Sequence, residues 1–146
     1  MTVKNKKEIQ FFYDFILWFT GGCIYFYAEI ICRGFSHFSM FVCGGLCFLF
    51  VGKYGSRIYI HTDRTWKTYA SVMIVGACII TGLEFVTGMI VNVILKWDVW
   101  DYSYMKYNLY GQICLAYTGL WSLLSIVCVY VYMLIERKIF EKEINI

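Results

Sequence analysis

Proline is absent from all 146 residues, and only 16% of them are Asp, Glu, Lys or Arg. Without proline, any helix kink must come from glycine or serine. Soluble domains carry about 25% charged and 45–50% apolar residues, so the low charge together with 60% hydrophobic residues excludes a disordered tail, a soluble enzyme and a nucleic-acid-binding module. The net charge is +3, and the basic residues lie at segment ends instead of in one patch, which is no footprint for nucleic acid. Anionic headgroups of a lipid bilayer are their natural partner.

No CxxC pair occurs, and the cysteine count of seven is odd. Cys23, Cys32, Cys43, Cys47, Cys78, Cys114 and Cys128 fall within or at the ends of apolar runs, so they read as reduced small hydrophobes, with a single bond involving Cys32 as the alternative. A G-x-x-x-x-G-K-[ST] loop is also missing: Gly52-Lys53 is followed by tyrosine and lacks the earlier glycine. Neither H-E-x-x-H nor G-x-S-x-G is present, and Ser36-His37 adjacency is not a triad signal. The sequence is therefore read as a non-enzyme without catalytic residues, cofactor or metal.

What is present is apolar: 60% hydrophobic and 21% aromatic residues, with a mean hydropathy of +0.62. A core of this size could not hide so much, and the excess needs lipid. Four runs are long enough to cross a bilayer, roughly 9–31, 38–54, 66–95 and 108–135. The expected fold is one all-α membrane domain over 1–146, a four-helix transmembrane bundle. The first run follows Lys4, Lys6 and Lys7 but is too long for a cleaved signal and lacks a small-x-small site, so it reads as a retained anchor. Gly34 suits a C-terminal cap and Ser36 an N-cap, which makes the first two helices a tight antiparallel hairpin.

Orientation follows from Lys and Arg in the connections. The N-terminal tail has three (Lys4, Lys6, Lys7), the 53–67 connection four (Lys53, Arg57, Arg64, Lys67) and the C-terminal tail three (Arg137, Lys138, Lys142), against Arg33, Lys96 and Lys106 elsewhere. Ten against three places both termini in the cytoplasm. Trp66 and Trp97 are 31 residues apart, about 46 Å of helix, close to a full bilayer with headgroups. Trp97, Trp100, Tyr102, Tyr104, Tyr107 and Tyr110 then read as an outer interfacial belt.

Polar residues crowd the outer half. Glu29, Arg33 and His37 lie at the outer ends of the first two helices; Asn92, Asp98 and Asp101 at the outer end of the third and beyond; Asn108 and Gln112 open the fourth; Glu84 lies near mid-membrane. The inner half has little besides Asp14, read as interfacial. Ala77, Thr81, Glu84, Gly88 and Asn92 share one face of the third helix, and Gly111, Thr118, Ser122 and Ser125 form a matching stripe on the fourth. Two readings fit: a small-residue packing seam with Glu84 bonded to a neighbour, or the wall of an outward-facing polar vestibule. Either keeps Glu84 off lipid, where an acid costs about 2.5–3.5 kcal/mol. Glu29 and Arg33 have the spacing of an intrahelical ion pair; alternatively Arg33 and His37 hold an anion, or His37 titrates or caps. Asp98 and Asp101 read as solvated turn residues or caps.

Two stretches, RGFSHFSMFVCGGLCFLFVG (33–52) and LEFVTGMIVNVILKWDVWDYSYMKYNLYGQICLAY (83–117), resemble the bacterial family named "putative ABC-transporter type IV", or CmpB-type, membrane proteins. They cover a little over a third of the chain. The positions the resemblance carries over are Arg33, Gly34, Ser36, His37, Gly44, Gly45, Glu84, Gly88, Asn92, Trp100, Asp101, Tyr102, Asn108, Gly111 and Gln112. Phe38 stands where the family tends to have tryptophan and Ala116 where it has proline. Gly44, Gly45, Gly88 and Gly111 are expected to serve helix packing, and Glu29, Arg33, His37, Glu84, Asn92, Asp101, Asn108 and Gln112 to line the vestibule. The resemblance implies a transport-associated, permease-like subunit of the bacterial cytoplasmic membrane, working with a separate ATPase. Four short spans make a thin pathway, so a homo-oligomer is expected. A membrane scaffold is the alternative reading, and a small holin-like pore a third.

Overall fold

The computed structural model describes residues 3–139; Lys142, counted in the basic C-terminal tail, lies outside the described residues. Helix α1 spans Val3–Arg33, α2 Phe38–Ile60, α3 Trp66–Gly88 and α4 Leu115–Ile139. The segments Lys7–Arg33, Phe38–Ile60, Trp66–Ile94 and Leu115–Lys138 are long and apolar enough to cross a membrane, which makes the chain a multi-pass, all-α membrane protein.

Local chemistry sets the helix ends. Gly34 takes φ +80° and donates its N–H to Ile30 O at 2.8 Å, a left-handed cap that closes α1. Ser36 does not cap α2 as expected. His37 is the N-cap, in extended conformation with Nδ1 accepting from Ser39 N at 3.2 Å, because Ser36 Oγ is engaged by Glu29 Oε2 at 2.6 Å. Beyond Gly88, α3 widens into a π-helical turn, Met89–Ile94. Leu95 N and Trp97 N reach back to Ile90 O and Val91 O, each at 2.9 Å.

The fourth helix starts at Leu115, not near 108. Asn108–Leu109 and Ile113–Cys114 pair as β1 and β2 of a two-residue antiparallel ladder. Tyr107, Tyr110 and Gly111 hold φ of 56°, 52° and 68°, which no α-helix admits. Gly111 is therefore in the hairpin and not on the stripe of α4. The connection from α3 to this hairpin carries two further left-handed residues, Lys96 and Asp98, at φ 56° and 49°.

α1 and α2 run antiparallel. A Cβ on Gly44 would meet Tyr25 Cβ at 2.5 Å, one on Gly45 would meet Trp18 O at 2.5 Å, and Lys53 Nζ bonds Asp14 Oδ2 at 2.8 Å at the far end. Lipid supplies no hydrophobic drive between helices, so such close approach is what holds them together. α2 touches all three other helices. Val51, Val72, Val129 and Met133 form one core cluster between α2, α3 and α4. Leu17, Phe48 and Tyr132 form a second between α1, α2 and α4. All seven cysteines are free thiols, Cys32 included.

Candidate functional site

At the end of the bundle that holds the 34–37 turn, the connection between α3 and α4 folds back onto the helices. Val99 and Trp100 are buried with Met40 and Val91; Trp100 is only 6% exposed. Trp100 is thus a core residue and no part of an interfacial belt, whereas Trp97, Tyr104, Tyr107 and Tyr110 are exposed.

Polar side chains from the helices hold this segment by its backbone. Arg33 Nη2 donates to Val99 O at 2.9 Å while Arg33 Nη1 pairs with Glu29 Oε1 at 2.8 Å. Asn92 accepts from Val99 N through Oδ1 at 2.8 Å and donates through Nδ2 to Trp100 O at 2.9 Å and Gln112 Oε1 at 2.8 Å. Trp100 Nε1 donates to Gln112 O, and Gln112 Nε2 to Tyr110 O, each at 2.9 Å. Gly88 makes room for this: a Cβ there would lie 2.5 Å from Gln112 Oε1 and 3.0 Å from Trp100 Cζ2.

Glu84 lies deeper and is joined to the same segment. Its carboxylate accepts from Tyr102 OH at 3.3 Å and from Trp121 Nε1 of α4 at 2.9 Å. Burial, reinforced by the Glu84 charge, pushes the Tyr102 phenol well above its usual range, so Tyr102 remains a donor at neutral pH. Tyr102 stacks on Tyr117 with ring centroids 4.7 Å apart. Farther along the same face, Thr81 and Thr118 hydroxyls meet at 3.2 Å.

The structure therefore brings together Glu29, Arg33, Asn92 and Gln112 around residues 99–100, with Glu84 attached through Tyr102. It leaves three candidates apart. His37 caps α2 and packs against Trp97 with centroids 5.2 Å apart. Asp101 turns outward, accepting from Ser103 N at 2.8 Å and Ser103 Oγ at 2.6 Å, and those bonds hold its carboxyl below the usual carboxylate range. Asn108 stitches the hairpin, donating to Met105 O at 2.8 Å and accepting from Gly111 N at 3.0 Å. Asp98 is exposed on the connection.

Ser36 and Trp121, which complete the carboxylate shells of Glu29 and Glu84, were not legible as partners. Ser36 is seven residues from Glu29 and Trp121 is 37 from Glu84. The only available signal was that a buried carboxylate needs donors from somewhere. Among the described residues, no buried side-chain nitrogen or oxygen lacks a hydrogen-bond partner, and no group of three or more His, Cys, Asp or Glu is placed to hold a metal ion. Chemically, the cluster is a closed network that clamps a loop.

A family model described as "Putative ABC-transporter type IV" matches residues 9–145, nearly the whole chain. Neither a curated protein nor a solved structure matches it. The chain belongs to that family.

Proposed function

We propose, from this membership, that the chain is a non-enzymatic, transport-associated subunit of a bacterial cytoplasmic membrane that works with a separate ATPase, and that the clamped loop is its closed outer gate. The loop end would face outward, with both termini in the cytoplasm, as the split of basic residues argues. A second copy would complete a pathway that four helices alone make thin. The observation that carries the gate is the grip of Arg33 and Asn92 on the 99–100 backbone. Release of that segment would expose Arg33, Asn92, Gln112 and, beneath them, Glu84 as a polar vestibule.

Affinity purification of the tagged full chain from its native membrane tests the partner. An ATPase that co-purifies, together with a solute-uptake defect in a deletion strain, supports the transport reading. Normal uptake and no ATPase would sink it.

A scaffold reading has one observation in its favour: every buried polar side chain in the described residues is satisfied from within, leaving none reserved for a solute. The same deletion strain separates the two, since a scaffold's loss would disturb assembly of its partners and leave uptake intact.

A further inference from the structure

Glu84 sits among four aromatic rings, of which the gate uses only Tyr102. Tyr102 stacks on Tyr117 with centroids 4.7 Å apart. Tyr117 lies 6.1 Å from Trp121, and Trp121 lies 6.3 Å from Tyr25 of α1. Two of the four hold the carboxylate, Trp121 through Nε1 at 2.9 Å and Tyr102 through its hydroxyl at 3.3 Å. We propose that this cluster is a binding site for a small organic cation, an alkylated ammonium, and that Tyr102 fills it as a plug while the gate is closed. The proposal rests on the gate reading for its access route and adds the class of solute.

Charge and ring chemistry point to such a ligand independently. Glu84 is 4% exposed and makes no ion pair among the described residues. Glu29, a charged group that acts on it, has the same sign and is already paired with Arg33. Neutral donors satisfy the hydrogen-bonding capacity of a carboxylate without supplying a counter-charge, and a carboxylate held away from water is costly until one arrives. The rings supply the second half of the recognition. Faces of Trp and Tyr attract a cation through their quadrupoles, and cages of such rings recognise quaternary ammonium groups. A hard metal ion would need several oxygen ligands, which aromatic faces do not offer.

Tyr102 is the removable member of the cluster. Tyr25, Tyr117 and Trp121 stand on the membrane-spanning helices α1 and α4. Tyr102 stands on the connection, just beyond the 99–100 backbone that Arg33 and Asn92 grip, and its bond to Glu84 is the longer of the two. When that segment lifts, the Tyr102 ring leaves the face of Tyr117 and its hydroxyl leaves Glu84 Oε1. A space the size of a phenol side chain then opens between a carboxylate and an aromatic wall, and a trimethylammonium group fits within it.

Isothermal titration calorimetry of the full chain in maltoside detergent tests the site, with choline as the probe and dimethylbutanol, its neutral carbon isostere, as the control. Tyr102→Ala should bind choline about tenfold more tightly than wild type, because the plug no longer competes, and neither form should bind dimethylbutanol. Tyr102→Val serves in its place if Tyr102→Ala does not fold. In that plug-free background Glu84→Gln and Tyr117→Leu should each weaken choline binding about tenfold, whereas Tyr117→Phe keeps the ring and should leave it unchanged. Choline binding by the plug-free variant and not by wild type supports the cation site and counts against an opening gate. Normal solute uptake in a deletion strain would sink the transport reading and leave this binding untouched. If the plug-free variant binds no choline, binds the neutral isostere equally well, or binds choline undiminished with Glu84→Gln, the proposal is overturned.

Discussion

Asn92 and Gln112 lie 20 residues apart on opposite sides of the α3–α4 connection, yet both are buried and share a hydrogen bond of 2.8 Å from Nδ2 to Oε1. Asn92 also uses its second amide hydrogen on Trp100 O and accepts from Val99 N. One amide therefore ties the π-helical end of α3, the re-entering segment and the turn before α4.

Asn92→Leu keeps the volume and removes all three bonds, leaving Val99 N–H, Trp100 C=O and Gln112 Oε1 unpaired in a buried site. A loss of about 1–3 kcal/mol is expected, measured as a fall in unfolding free energy in detergent. A double-mutant cycle with Gln112→Met should return a coupling of about 0.5–3 kcal/mol; strict additivity would show that the bond contributes nothing.

Gly88 and Gly82 make a matched pair on α3. Gly88→Ala drives a methyl to 2.5 Å from Gln112 Oε1 and should destabilise by about 1–3 kcal/mol through overpacking. Gly82 has nothing within 4 Å of an added Cβ, so Gly82→Ala should be neutral or raise Tm through helix propensity, worth up to about 1 kcal/mol. Equal effects at both sites would refute the placement of Gln112.

Glu84 accepts two hydrogen bonds and makes no ion pair among the described residues. Glu84→Gln retains one acceptor oxygen and should fold with a loss of about 1 kcal/mol. Glu84→Lys offers no acceptor to Tyr102 or Trp121 and buries a cation, so it should fail to reach the membrane in an expression assay.

Orientation is open to cysteine labelling in a background without native cysteines. Ser103 is exposed, whereas Ser56 is buried, so exposed Asp63 is the better probe of the α2–α3 connection. An impermeant maleimide should modify Ser103→Cys and spare Asp63→Cys in intact cells. The reverse pattern would invert the topology.

The Asp101 carboxyl, held low by its two bonds to Ser103, gives the turn a predictable acid response. Its folded value lies below its unfolded one, so its contribution is present above about pH 3.9 and is lost as pH falls through the folded value. A carbon-13 carboxyl titration should place the midpoint below about 3.9, and Ser103→Ala should raise it.

The number of spans was decided by the sequence alone, because run length against bilayer thickness is a one-dimensional property: the starts of α2 and α3 at Phe38 and Trp66 coincide with the ends of polar connections. Glu84 was likewise bound to face protein, since its neighbours on the other faces of α3 are apolar and lipid offers a carboxylate no donors. The 95–114 segment was different. Its apolar and aromatic content reads equally as an interfacial belt or a helix start, and periodicity carries no sign of left-handed φ at Lys96, Asp98, Tyr107 and Tyr110. Only the fold supplies the long-range partners that make such a backbone affordable: Arg33, 66 residues from Val99, and Asn92, 20 from Gln112. The pairing of Asp14 with Lys53 across 39 residues was hidden for the same reason, because a hydrogen bond's two ends are fixed by where helices pack and not by where residues stand in the chain.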